Sequence, residues 1–459
     1  MSVNVATHDS LNLLETPLVD NSIESFQYQD YAPQSQDNLD QSGGAIRIDI
    51  NASDTYLQIS ESSLVIKGQL VRDNNNAYVA DAEVALVNNA MMYLFSKIKY
   101  TISGKTMEEI SDPGQITSML AYLTLPDDYN SNAGLMSCWS KDTTNHANSS
   151  KYTQSPIVPN TGVAAGVLTP AENPEYNQGF AARKSLLMSA DPRGSFTFVI
   201  PFSHMFGFSD YNKVIWNVKH SLTLSRPETD NQAIHRANAV HNGKIKISNI
   251  TWRVPHISVS PILHSELLSV IESKQSIPLN FTARSSESTA VPQTRDFSWR
   301  LSVISGIEKP RWIIVGFQTN RNAEQEQNPA VFDHLSLTKA YVKLNSERYP
   351  LSDILTDFAK NDYSIQYERF DNYKKKKFGF NSLVGGTQVN YPAYKSLFPL
   401  FVFDVSNQNE KLTSGVIDMN LKFYFNNNVP ANTMAYACIE SDRMYKLQSD
   451  GKKLTMVSY

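Results

Sequence analysis

Nine histidines are present, and four of them, His235, His241, His256 and His264, fall within 30 residues. Zinc chemistry would ask for tight pairs such as H-x3-H, backed by cysteines or carboxylates. The spacings here are 6, 15 and 8, across different strand-like and helix-like segments, so no metal site is expected. Glu108-Glu109, Asp127-Asp128 and Asp353 with Asp357 offer the carboxylates of a glycosidase, whose roles depend on separations of about 5 to 9.5 Å in the fold. Among 45 acidic residues, such pairs read as solvated surface acids. The run Lys374–Lys377, between Tyr373 and Phe378, would suit a nucleic-acid backbone, but four lysines in a loop read more simply as a solvated tip. Cys138 and Cys438 stand roughly 300 residues apart with no CxxC, which excludes a disulfide framework and leaves two buried thiols in a reducing compartment. No nucleophile elbow, P-loop or dinucleotide fingerprint occurs, and Gly385-Gly386 is a turn signal. The sequence predicts no enzyme, no cofactor and no metal, and points to a protein whose job is shape.

The elements that would position these residues are strands. Ile417 to Phe425 alternates apolar and polar residues without a fault, and Trp216, Val218, His220, Leu222 and Leu224 do the same. Successive side chains on a strand point to opposite faces, so each run buries one face and wets the other. Further strand-like runs are Ile46–Ile50, Leu64–Val71, Phe95–Ser103, Ser195–Phe202, Lys244–Val254, Phe297–Val303, Arg311–Gln318, Leu335–Asn345 and Leu400–Val405. Between Ile245/Ile247 and Ile250/Trp252/Val254 the phase slips by one residue, which reads as a bulge. At 459 residues the length suits about three average domains or two large β domains. With 41% hydrophobic and 10% aromatic residues the chain can bury a large core. Its net charge of −4 gives no drive toward nucleic acid or an anionic membrane.

Two segments break the pattern. Over Asp112–Leu125, Ile116, Met119, Leu120 and Leu123 recur at helical spacing behind Asp112 as N-cap and Pro113, which predicts a short helix packed on a sandwich. Over Ser260–Ser273, Leu263, Leu267, Val270 and Ile271 share a helical face, and this helix is the natural domain boundary. Residues 126–180 are rich in Asn, Ser, Thr, Gly and Pro and predict a large exposed loop. Residues 1–44 carry seven acidic residues and no Lys or Arg, and read as an extended arm that orders only against a neighbour. Such an arm would be repelled by a genome. The first residues lack the basic and apolar regions of a secretory signal, so the chain is expected to stay inside the cell and its sequons at Asn51, Asn148, Asn249 and Asn280 to stay unmodified. The longest apolar runs, Trp312–Phe317 and Leu397–Phe403, fall far short of a membrane span. No strong repeat links the two halves.

Three stretches resemble one family. DAEVALVNNAMMYLFSKIKYTISGKTMEE (81–109) is similar to the segment of double jelly-roll major capsid proteins in which an Asn-Asn pair precedes a Leu-Phe-Ser strand. KPRWIIVGFQTNRNAEQEQNPAVFDHLSLTKAYVKLNSERYP (309–350) resembles their second-roll signature, with Pro-Arg before an Ile/Val strand, a polar loop with Asn-Pro, Phe332 with His334, and a LNSERYP strand end. SNQNEKLTSGVIDMNLKFYFNNNVPANTMAYACIESDRMYKL (406–447) continues the likeness, and Ser22-Ile23-Glu24 in the leader also fits. The nearest resemblance is to the capsid proteins of Polinton/Maverick elements and the adintoviruses, and more distantly to adenovirus hexon and virophage capsid proteins.

The resemblance implies an all-β double jelly roll, two tandem eight-stranded rolls with short helices in loops and between them. It divides the chain into an acidic arm (1–44), a first roll (45–259), a linker helix (260–275) and a second roll (276–459). It implies a homotrimer, six upright rolls making a pseudo-hexagonal tile of an icosahedral shell around double-stranded DNA. Partners would be neighbouring capsomers, a single jelly-roll penton protein and minor capsid proteins, with no sequence-specific nucleic-acid binding, and the location would be a virion capsid assembled in the host cytoplasm or nucleus. The upper loops, the helix after 95–103 and the 126–180 excursion would make trimer contacts, and the leader would tie neighbours together beneath the tile. Trp312, Phe317, Phe332, Tyr341, Phe423 and Phe425 are the expected core or interface anchors of the second roll, with Arg311 and Arg348 as polar candidates, because a few buried aromatics and arginines dominate interface energies. Two rival readings remain: a domesticated element copy that keeps the trimer without particles, and a carbohydrate-binding or carbohydrate-active β-sandwich.

Overall fold

The computed structural model describes residues 22–35, 39–51, 55–153, 171–301, 308–379, 386–408, 417–449 and 454–458. Its strands sort by halves of the chain. The first half holds β1 (Ile23–Tyr31), β2 (Ala45–Ile50), β3 (Ser63–Arg72), β4 (Lys97–Ile102), β5 (Lys105–Ser111), helices α1 (Pro113–Thr124) and α2 (Gln178–Met188), then β6 (Ser195–Pro201), β7 (His220–Ser225) and β8 (Gly243–Val259). One sheet runs β6-β3-β8 and on into the short strands Tyr56–Leu57 and Ile215–Trp216, with β1 also on β8; the other runs β2-β7-β4-β5.

After α3 (Pro261–Glu272) come β9 (Ile277–Ala290), β10 (Asp296–Leu301), β11 (Glu308–Thr319), β12 (Leu337–Leu344), helices α4 (Ser364–Phe378) and α5 (Tyr391–Ser396), β13 (Phe401–Asp404), β14 (Met419–Phe425) and β15 (Thr433–Ser449). They form the sheets β9-β15-β11-β13, with Leu454–Ser458 beside β15, and β10-β14-β12 with Glu347–Tyr349. Among the described residues these four sheets hold six and four strands in the first half and five and four in the second, and the first half also has two two-stranded sheets, Val84–Leu86 with Ile234–Arg236 and Tyr152–Thr153 with Ala171–Glu172. The counts in the four sheets exceed eight per half because β1 and the short strands extend the basic sheets.

Alternation explains which faces meet. Ile46, Ile48 and Ile50 of β2 turn inward, and so do His220, Leu222 and Leu224 of β7, with Ile48 directly opposite Leu222. On β14, Met419, Leu421, Phe423 and Phe425 are buried while Asn420, Lys422 and Tyr424 are half-buried. Each such large apolar side chain contributes about 1.5–3 kcal/mol through burial. The phase slip seen in the sequence is a bulge, since the pairing of β8 with β3 shifts between Ile247 and Asn249.

The edge of β8 away from β3 is occupied toward both of its ends. β1 covers it from Trp252 to Val259. Farther up, the Gly243 amide donates to Gln325 Oε1 at 3.1 Å, the Ile245 amide to Asp230 Oδ2 at 2.9 Å, and the Ile247 amide to Asp40 Oδ1. Side chains here take the place of a neighbouring strand.

Four expectations need correcting. The leader's residues 23–31 order against this chain's own β8, because the edge amides and carbonyls of β8 offer them a full antiparallel ladder; residues 1–21 lie outside the described set. The 126–180 segment is not simply exposed: Trp139, Asp142, Asn177 and Phe180 are buried, while 154–170 lie outside the described residues. Asn177 satisfies the loop's backbone, donating to Thr144 O at 2.9 Å and His146 O at 3.1 Å and accepting from the Phe180 amide at the start of α2. Lys374–Lys377 close a helix, α4, and are no loop tip. Helical spacing turns Lys374 and Lys377 toward the protein, and cations suit a helix C-terminus. Finally, α1 is buried on all sides from Pro113 to Leu123, and Asp112 precedes it in a left-handed conformation without a side-chain cap bond. No described helix is long and apolar enough to cross a membrane.

Candidate functional site

The two sandwiches meet where β5 lies against β9, and a buried carboxylate fastens them. Glu108 of β5 is fully buried. Its Oε1 accepts from the Arg284 amide of β9 at 2.7 Å and the Gly207 amide at 3.0 Å, and its Oε2 from the Phe208 amide at 2.7 Å. Three amides from two separate segments thus converge on one side chain. Gly207 is required here, because an added Cβ would overlap the Thr282 carbonyl oxygen across the seam. Burial pushes the Glu108 carboxyl above its ordinary range, opposed by the Arg284 charge and the three amide donors.

Arg284 links this carboxylate to a second. Its guanidinium donates to Ser203 O and His204 O at 3.0 and 3.2 Å and lies 4.0 Å from Glu440 Oε1. Glu440, fully buried on β15, accepts from Lys377 Nζ and Tyr373 Oη, each at 2.6 Å. Burial acts to raise the Glu440 carboxyl, but Lys377 and Arg284, with the two hydrogen bonds, outweigh it and hold it below the usual range. Arg443 donates to Met107 O, Tyr445 Oη to Thr106 O at 3.2 Å, and the Ser111 amide to Ser286 Oγ at 2.7 Å. All four carboxylate oxygens are held by internal donors in a space closed to solvent. Such a network fastens backbone segments and admits no substrate.

A second set of contacts joins the halves at the ends of β11 and β8. The loop after β11 plugs into the first sandwich: Gln325 Nε2 donates to Gly243 O at 2.6 Å, the Arg236 amide donates to Gln325 O at 2.9 Å, and Asn328 Nδ2 donates to Asp142 Oδ2 at 2.9 Å. Asp142 also pairs with the buried Arg183 of α2 at 2.6 Å. Tyr93 Oη donates to Pro329 O at 2.7 Å and Tyr122 Oη to Ala330 O at 2.9 Å. Gln388 donates to Ala121 O at 2.8 Å and accepts from Trp139 Nε1 at 3.3 Å. The polar loop with Asn-Pro is therefore a connector.

The family model described as a double jelly roll-like domain matches residues 167–445. The chain belongs to that family. Its all-β architecture is a double jelly roll, two sandwiches in tandem with short helices. Among solved structures, a chain of the Sputnik virophage superposes with a TM-score of 0.55 at 11% identity, covering 100% of this chain and 93% of that one. The Faustovirus major capsid protein gives 0.52 at 8% identity, covering 94% and 92%. The mavirus major capsid protein gives 0.50 at 10% identity, covering 100% and 96%. At these identities the likeness speaks for the fold. Among curated proteins none matches the sequence.

Within the double jelly roll, the residues singled out by sequence separate into three places. Phe317, Phe423 and Phe425 meet in the second-roll core, with Phe317 ring centroids 5.1 and 5.7 Å from the other two. Phe332 is buried too, but on the opposite face of β11, where a Cβ on Gly316 would lie 2.6 Å from its ring. Trp312 packs edge-on to Tyr373 at 5.0 Å, close to the seam. Arg311 is skipped by the β11–β15 register, and its Nε reaches Asp442 Oδ2 at 2.5 Å. Tyr341 and Arg348 form an outward pair, the guanidinium 3.9 Å from the ring centroid, with Arg348 also bonded to Asp353. Nearby, Lys339 lies 4.6 Å over Tyr424, and Leu351 and Leu355 are 88% and 68% exposed.

The remaining candidates do not assemble. Glu109 points away from Glu108, as alternation requires, and binds Lys97 and Lys99 at 2.8 and 3.1 Å. Asp127 lies 3.5 Å from Lys141, and Asp357 pairs with Lys360 at 3.2 Å. His235 stands edge-on to Phe180, His256 bonds Tyr31 at 2.8 Å, and His264 bonds Tyr56 at 3.1 Å. No group of three or more metal-ligating side chains occurs among the described residues. Both cysteines are free and buried, and burial pushes the Cys138 thiol up to about 12. Arg284, Glu440, Gln325 and Gln388 were missed by sequence reasoning. The one signal for Glu440 was an acid directly after the apolar run Ala435–Ile439.

Proposed function

We propose that this protein is the major capsid protein of a double-stranded DNA virus or virus-like element, of the Polinton/Maverick and adintovirus kind. The observation that carries the reading is the seam: two rolls stapled through Glu108, Arg284 and Glu440, and plugged together by Gln325 and Asn328, make a rigid two-roll block. A tile needs such rigidity, because neighbours can register only against a fixed outline. Three copies would present six rolls as a pseudo-hexagonal capsomer, and capsomers would close an icosahedral shell with a single jelly-roll penton protein and minor capsid proteins. The solved neighbours, two of them named as major capsid proteins, support the same reading.

The half-buried outward cluster of Tyr341, Arg348, Lys339 and Tyr424, with exposed Leu351 and Leu355, is the surface we assign to a neighbouring subunit. Aromatic and arginine side chains of this kind supply most of the energy of protein interfaces. The net charge of −4 suits a shell that does not condense its own genome. Assembly would take place in the host cytoplasm or nucleus. Light scattering on the purified chain tests the proposal: a mass three times that of the chain is expected, and a stable monomer at micromolar concentration would overturn it. Negative-stain imaging then distinguishes closed shells from trimers alone, the latter marking a copy that has lost particle formation.

A further inference from the structure

β9 starts beside α3 and ends at Ala290, opposite Met434, so Pro430 and the end of β11 lie at the far end of the second roll. There a cavity of about 500 Å³ opens, lined by Thr319, Arg321, Phe332, His334, Lys395 and Pro430 among others. Its size is that of a small-ligand site. Its charges do not cancel. Arg321 and Asp333 neutralise each other at 2.6 Å, and Asp333 Oδ2 also takes the Thr319 amide at 2.8 Å. Lys395 is left over: among the described residues it has no carboxylate partner and donates only to the neutral Asn361 Oδ1, at 2.8 Å.

His334 beside it is fixed in orientation and tautomer. Its ring lies on Phe358 at 4.3 Å and 10°, and the stack continues through Tyr363 to Tyr391 at 5.4 and 4.3 Å. Its Nδ1 accepts the Ser336 amide at 2.9 Å, which leaves the ring proton on Nε2. Leu335 and Ser336 both take left-handed backbone angles, φ 48° and 52°, to bring that amide round. Side-chain-bearing residues hold such angles at a cost, and strain of this kind collects at ligand sites. Burial, and then the Lys395 charge, keep the imidazole below its ordinary pKa and therefore neutral. Nε2–H has no acceptor among the described residues.

We propose that this cavity binds a carboxylated sugar: the carboxylate between Lys395 Nζ and His334 Nε2–H, the apolar ring face against Leu335 and Pro430. One cation with one neutral donor matches a single negative charge, whereas a phosphate dianion calls for more positive charge than Lys395 supplies. The apolar wall gives no reason to hold a bare anion.

The test uses the full chain, with N-acetylneuraminic acid as probe, its methyl ester as the uncharged control and acetate as the bare carboxylate, followed by saturation-transfer NMR and calorimetry. The acid should bind saturably, with the ester and acetate each at least tenfold weaker. Lys395→Gln should raise Kd at least tenfold with the melting temperature unchanged. His334→Phe, which keeps the ring stack and removes the donor, should weaken binding severalfold. Absence of saturable binding, or binding that Lys395→Gln leaves unaltered, overturns the proposal. Acetate binding as tightly as the acid would also overturn it, as the mark of an adventitious anion only.

Discussion

Replacing Glu108 by alanine would remove the one acceptor shared by Arg284, Gly207 and Phe208. Each stranded buried amide costs about 1–3 kcal/mol, and local relaxation returns some of the sum, so a loss of about 4–5 kcal/mol is expected, at the upper end of single-substitution effects, where broken buried networks fall. Glu108→Gln keeps one acceptor oxygen but turns an amide donor toward another donor, and should lose about 2–3 kcal/mol. Urea unfolding followed by tryptophan fluorescence measures both. Trp139, Trp216 and Trp252 report on the first roll and Trp299 and Trp312 on the second, so loss of the staple should also split the single unfolding transition into two. A Glu108→Ala protein within about 1 kcal/mol of the parent, its two rolls still melting together, would refute the claim that this side chain fastens the seam.

Burial holds His204 and His235 at about 4 and His220 at about 3, well below a free imidazole. Folded values below unfolded ones mean stability present above about pH 6.5 and lost as pH falls toward 4, by up to about 1.4 kcal/mol per unit for each histidine; denaturant midpoints at pH 7 and 5 should differ clearly, and equal midpoints would contradict the burial. Lys377→Met strips Glu440 of its closest cation and should cost about 3 kcal/mol, read as a lower melting temperature, with much of it restored in the Lys377→Met/Glu440→Leu double variant. Gly316→Ala pushes a methyl against Phe332 and Leu400 and should cost about 1–3 kcal/mol by the same measurement. Leu351→Asp with Leu355→Asp should leave the melting temperature alone yet shift the light-scattering mass from trimer to monomer.

Where one face of a strand is wet, the sequence displays it: β2, β7 and β14 were legible from alternation, and even the β8 bulge showed as a change of phase. Where a strand is covered on both faces, alternation vanishes. β15 is the clearest loss, buried without interruption from Ala435 to Ser441 and carrying Glu440 in that stretch, so neither period nor polarity marks it as a central strand. For the same reason α1 showed only some of its buried surface, since Gly114, Thr117 and Ser118 are as covered as Leu120. The aromatic core residues Phe317, Phe423 and Phe425 follow from strand phase, but the seam does not. Glu108 meets Arg284 across 176 positions, and which acid of Glu108-Glu109 turns inward depends on a partner that spacing cannot reveal.

Every unpaired β-strand is a hazard, because its free edge can template the next copy into a fibril. The long rim of β8 carries its own defence. Asp40, Asp230 and Gln325 occupy the amides that an incoming strand would seek, and two of those occupants are acids whose charge would repel another acidic chain. Copies of the chain that meet at this rim are thereby kept from backbone zippering, which has no natural end.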